Sequence, residues 1–145
     1  MIAARNMPRE GKTRPVQCLI VTDESRSLVS AQLRQLLERQ GIAALHASGA
    51  HEALQHCWRN APQVIFLPQT MEGEDAAIVL RRIRNMPRTS RAIVLVYAER
   101  LDSQALGRMI WEGAADGIAQ PFNAEILAAK LRLAGLETDL ARMGG

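Results

Sequence analysis

The sequence predicts an α/β fold: (βα) repeated five times, a doubly wound sheet of five parallel strands with helices on both faces. Three observations predict it. Runs such as Val64–Leu67 are apolar at every position, as in a strand covered on both sides. The segments between these runs carry apolar residues at helical spacing. The alternation is strict, which calls for parallel strands joined by right-handed crossovers.

Val16–Val21 is the first strand, followed by Thr22-Asp23-Glu24-Ser25 as a loop and helix start, with Ser25 or Asp23 as cap. Leu28, Ala31, Leu33, Leu36 and Leu37 form the apolar stripe of the first helix, which Gly41 ends. Ile42–His46 is the second strand. A helix over about 50–60 carries Ala53, Leu54, Cys57 and Trp58 inward. Val64–Leu67 is the third strand, and Pro68 stands at its carboxyl edge, where α/β proteins place their chemistry. Ala77, Ile78, Leu80 and Ile83 mark the third helix, with Asp75 as its cap. Ala92–Tyr97, Ser103–Glu112 and Gly117–Ala119 supply the fourth strand, fourth helix and fifth strand. Asn123 caps a last helix expected to run past Leu140.

At 145 residues the chain is long enough for one domain with a real core. No apolar run approaches the roughly 18 residues that cross a bilayer, and a cytoplasmic location is expected. Residues 1–15 are expected to form a disordered basic tail, residues 16–134 the domain, and residues 135–145 an extension of the last helix. Cys18 and Cys57 fall inside predicted elements and read as buried free thiols. His46, His51 and His56 have no metal-ligand spacing with them, and neither metal nor cofactor is expected. Aromatic residues are 3% of the chain, too few for a stacking platform, so nucleic acid is not an expected partner. No Ser-His-Asp, Cys-His or paired-carboxylate set is present, and no enzyme is predicted.

Five motifs in order resemble the receiver domain of bacterial response regulators, CheY-like, over about 16–133. They are Leu19–Ser25, Glu52-Ala53-Leu54, Pro62–Leu67 with Gly73 and Asp75 after it, Gly113–Asp116, and Gln120-Pro121-Phe122. The resemblance implies the flavodoxin-like strand order 2-1-3-4-5. It also implies a site: an acceptor aspartate after strand three, two acids after strand one that hold Mg²⁺, a Ser or Thr after strand four, a Lys after strand five, and a switch aromatic within it.

Carried over, Pro68 stands at the acceptor position, and Thr22 replaces one acid, leaving Asp23. Tyr97, or Ala98 beside it, replaces the Ser or Thr; Gln120 replaces the Lys; Gly117 replaces the aromatic. Proline has no nucleophile, and without the Lys no matched cation meets a phosphoryl charge of roughly −1.5 to −2. The expected function is therefore a phosphorylation-independent signalling module.

The resemblance implies that its work would lie on the face of helix four, strand five and helix five. Arg108, an exposed Trp111 beside an inward Ile110, and Gly117 mark that face. Leu136 and Leu140 would continue the stripe Ile126, Ala129, Leu133 toward Met143 at heptad spacing. The expected partner is a protein: a histidine kinase, another signalling protein, an output domain or a second copy. An alternative is a small-ligand or nucleotide site, of the cyclic-dinucleotide kind, at Arg81, Arg82, Arg84, Arg88 and Arg91. A displaced acceptor, Asp75, is the remaining reading.

Overall fold

The structure, a computed structural model, describes residues 16–23 and 27–136. Its elements are β1 (Cys18–Thr22), α1 (Ser27–Arg39), β2 (Ala44–Ser48), α2 (Gly49–Asn60), β3 (Val64–Pro68) and α3 (Ala76–Asn85). A single 3-10 turn (Pro87–Thr89) leads to β4 (Ile93–Ala98), α4 (Ser103–Trp111), β5 (Asp116–Ala119) and α5 (Ala124–Leu133). All strand pairs are parallel and the order is β2-β1-β3-β4-β5, the fold class and order expected.

The apolar strands behave as a two-faced sheet requires. Alternate residues, Leu19, Val21, Ile65, Leu67, Val94 and Val96, enter the core layer shared with α2 and α3. Their neighbours Ile20, Phe66, Leu95 and Tyr97 enter the layer shared with α1 and α5. Asp75 caps α3 by accepting from the Ala77 N–H at 2.9 Å, and Asn123 caps α5 through Glu125 and Ile126. Both cysteines are buried and free; burial pushes the Cys18 thiol up to about 12.

Several expected faces are rotated. In α1 the buried stripe is Val29, Leu33 and Leu37, and Leu28 is exposed. Trp58 of α2 and Ile78 of α3 are also exposed. In α4 the inward residue is Met109, not Ile110, which is 45% exposed. The largest correction concerns α5. Its core residues are Leu127, Ala128 and Leu131, while Ile126 and Leu133 face solvent. The i, i+4 pair Leu127 and Leu131, not the heptad stripe, meets the sheet.

The helix stops at Leu133. Gly135 follows at φ +102, and Leu136 turns back, its N–H donating to the Leu131 carbonyl at 3.0 Å, and is buried in the α1–α5 layer. Leu136 is therefore core, not interaction surface, and over 134–136 the helical extension is absent. The Glu24–Ser25 cap region, the tail 1–15, Leu140 and Met143 lie outside the described residues.

Candidate functional site

The carboxyl ends of β1, β3, β4 and β5 converge on one edge, and the residues singled out from the sequence are brought together there. Pro68 closes β3 and pairs in register with Tyr97 of β4. Tyr97 is 1% exposed, and its hydroxyl donates to the Val21 carbonyl at 2.6 Å. β1 and β4 flank β3 on opposite sides, roughly 10 Å apart at two strand spacings. The ring therefore reaches across the end of β3. With its one proton committed to Val21, the hydroxyl accepts from Ser30 of α1. Burial holds the phenol well above its ordinary value, offset in part by Ser30 and reinforced by the Asp23 charge, so the group stays a donor.

The neighbouring groups are also committed. The Thr22 hydroxyl, buried, donates to Ala47 O at 3.3 Å. Asp23 Oδ2 accepts from the Glu72 N–H at 2.7 Å, tying the end of β1 to the β3–α3 loop. Gln120 donates to Gln32 of α1 and precedes a cis proline, Pro121. A cleft of about 230 Å³ remains above Pro68 and Tyr97, rimmed by Gln69, Thr70, Glu99 and Arg100.

Mg²⁺, which the resemblance implies, does not fit this donor set. It seeks several hard oxygens in octahedral array. Of the two positions at the end of β1, one is a threonine turned to a carbonyl, and Asp23 Oδ2 is already an acceptor. Pro68 contributes no side-chain oxygen. Among the described residues no three His, Cys, Asp or Glu side chains gather to hold a metal.

Gly117 is a buried strand residue, so it is not part of an accessible surface. A Cβ there would meet Leu101 Cδ1 at 3.0 Å and Leu106 Cδ1 at 3.1 Å. The room that a side chain at 117 would occupy is filled from the β4–α4 segment. That segment is fixed at further points. Gln69 donates to Arg100 O at 3.1 Å and accepts from the Asp102 N–H at 2.5 Å. Arg108 pairs with both oxygens of Asp75 at 2.9 and 3.0 Å, and Arg81 with Glu112 at 2.8 Å, joining α4 to α3. Desolvation works against it, but the Ala77 N–H and the Arg108 guanidinium hold the Asp75 carboxyl below the usual carboxylate range.

Asp75 is thus a cap and an ion-pair partner. Ser30, Gln69, Leu101 and Leu106 were not read from the sequence as site residues. Ser30 carried a signal, a polar residue at i−3 and i−7 from the buried Leu33 and Leu37. Gln69 and the two leucines carried none.

The five arginines do not converge. Arg81 is held by Glu112, and Arg88 Nη1 donates to the Trp58 carbonyl at 2.7 Å. Arg84 donates to the carbonyls of Thr89, Ser90, Ala92 and Gly113. Arg82 and Arg91 are exposed on α3 and after the 3-10 turn. A shared nucleotide fork across this set is not formed.

Trp111, at the end of α4, is 87% exposed. No helix of the described residues is long and apolar enough to cross a membrane.

Residues 18–132 match the response regulator receiver domain family. The chain is 29% identical over 114 residues to the transcriptional regulatory protein CseB of Streptomyces avermitilis. That match covers 79% of the chain and 46% of the relative, so the chain spans about half the relative's length. Among solved structures, a response regulator from Chloroflexus aurantiacus is 27% identical, with a TM-score of 0.74 over 89% of this chain and 100% of that one. A two-component response regulator from Clostridium difficile is 25% identical, with a TM-score of 0.69 over 90% and 99%.

Proposed function

The chain belongs to the response regulator receiver domain family, and we propose that this receiver signals without aspartyl phosphorylation. It presents one fixed surface, the face of α4, β5 and α5, to a protein partner: a kinase, another signalling protein, an output domain or a second copy. Receivers are signalling modules rather than enzymes, and catalysis by this chain forms no part of the reading.

The observation that carries it is the pair Pro68 and Tyr97. Where the family's acceptor would stand there is no nucleophile, and the tyrosine beside it is locked to Val21. A two-state switch needs an element with two arrangements of similar free energy. Here Leu101 and Leu106 occupy the space next to Gly117, and Gln69 and the Arg108–Asp75 pair hold the β4–α4 segment. These contacts favour one arrangement. The surface is marked by Trp111, with the exposed Ile126 and Leu133 of α5 in place of Leu136.

The test is an amide NMR titration with Mg²⁺ and then beryllofluoride, which stands in for an aspartyl phosphoryl group. The expected result is no saturable shift at Asp23, Gln69 or Gln120. Saturable shifts spreading into α4 would overturn phosphorylation independence and send the search for an acceptor to Asp75.

The surface has its own test. Trp111→Ala should leave the unfolding free energy within about 0.5 kcal/mol of the parent, since the ring is exposed. Self-association or partner capture should weaken by about tenfold or more, as for an interface anchor. Unchanged association would remove Trp111 from the interface.

A further inference from the structure

The topology sorts charge. Every helix runs from the carboxyl edge of the sheet back to its amino edge, so helix C-termini gather at the amino edge. There the last turns carry Arg39, Arg59, Arg82 and Arg84, and the 3-10 turn and its exit add Arg88 and Arg91. The nearby carboxylates are already paired: Glu38 with Arg34, Glu112 with Arg81, Asp116 with Lys130. Among the described residues, Arg39, Arg59, Arg82 and Arg91 have no carboxylate partner.

This end also contains a groove of about 510 Å³, on the opposite side of the domain from Pro68 and Tyr97. Its floor is apolar: Pro62, Ala92 and Leu136 are buried and Ile93 half-buried. Its rim carries the exposed Arg88 and Arg91, and among the described residues no carboxylate lines it. Arg88 is anchored through one nitrogen to the Trp58 carbonyl, which orders the guanidinium and leaves its other N–H donors available.

We infer that this groove is a docking site for an extended acidic polypeptide segment that also carries apolar side chains. Carboxylates meet Arg88 and Arg91, and an apolar side chain covers the half-buried Ile93. Unpaired guanidinium groups in water draw carboxylates by charge, and the arginine fork can bind them bidentately. An apolar floor gives no partner to a bare phosphate backbone, which favours polypeptide over nucleic acid. The site is independent of the α4–β5–α5 face and of the state of Tyr97.

The probe is a short fluorescent peptide alternating glutamate and leucine. Its controls are a glutamine–leucine peptide and an oligonucleotide of equal charge. Binding measured by anisotropy should need the carboxylates and weaken steeply between about 50 and about 300 mM salt, as screening predicts. Amide shifts should centre on Gln63, Ser90, Ala92 and Gly135. The double variant Arg88→Glu/Arg91→Glu should weaken binding by about tenfold or more, the scale of a lost charge pair. Arg91→Glu alone, at a side chain with no described partner, should weaken it by several fold without affecting folding.

Equal binding by Arg91→Glu and the parent overturns the assignment. So does tighter binding of the oligonucleotide than of the peptide. Self-association through these same residues without peptide also overturns it.

Discussion

Tyr97→Ala is expected to destabilise the domain by about 3–5 kcal/mol, the usual cost of truncating a fully buried aromatic side chain. The ring is part of the α1–α5 core layer, and its hydroxyl bridges β4 to β1 across β3. Truncation leaves a void in that layer and removes the donor to the Val21 carbonyl. Tyr97→Phe keeps the ring and loses only the hydrogen bonds, leaving the Val21 carbonyl without this donor; about 1–2 kcal/mol is expected. Urea unfolding at constant m-value separates the two variants. A cost below about 1 kcal/mol for Tyr97→Ala would mean that the ring is not the strut described. For a domain with total stability of about 5–15 kcal/mol, the expected loss is a large share.

Arg84→Met is the second large effect, at about 3 kcal/mol. The guanidinium is half-buried and satisfies four carbonyls from the 3-10 turn, the entry to β4, and the α4–β5 turn. Burial holds its pKa below the ordinary arginine value, yet the group remains charged. A hydrogen bond to a charged group contributes about 1.5–3 kcal/mol, and methionine replaces only the aliphatic stem. Arg84→Lys should recover little, because one ammonium cannot span carbonyls on two sides as the planar fork does. The fork also explains Gly113, which sits at φ +117 with Arg84 Nε 2.6 Å from where a Cβ would lie. Unfolding midpoints measure the loss. A variant of parent stability with weakened phosphate binding would reverse the assignment and make Arg84 a ligand residue.

Both residues illustrate how a sequence reading divides. Pro68 and Tyr97 could be matched to positions by counting along strands, because strands of period two carry their register into the sheet. That the tyrosine crosses β3 to reach Val21 depends on which strands are neighbours, a property of the topology rather than of either segment. Arg84 stood in a run of arginines that looked uniform in sequence. Distance to carbonyls supplied by residues 89–113 separated it from Arg82 and Arg91.

The sequence alone determined the (βα) alternation, the five strands, the Asp75 and Asn123 caps and the buried thiols. These follow from local rules: apolar runs, side-chain oxygens at helix starts and periodicity. Only the tertiary structure decided the fate of the last helix. The heptad from Ile126 to Met143 is a real spacing, but spacing does not say which of two adjacent stripes meets the sheet. Packing against the sheet chose the stripe, and Leu127 and Leu131 took the core. Gly135 then turned the chain at positive φ, and Leu136 found a buried place in the core. Likewise, Gly117 reads in the sequence as a missing side chain. In the fold Leu101 and Leu106 fill its space, because a close-packed interior does not leave such a volume open.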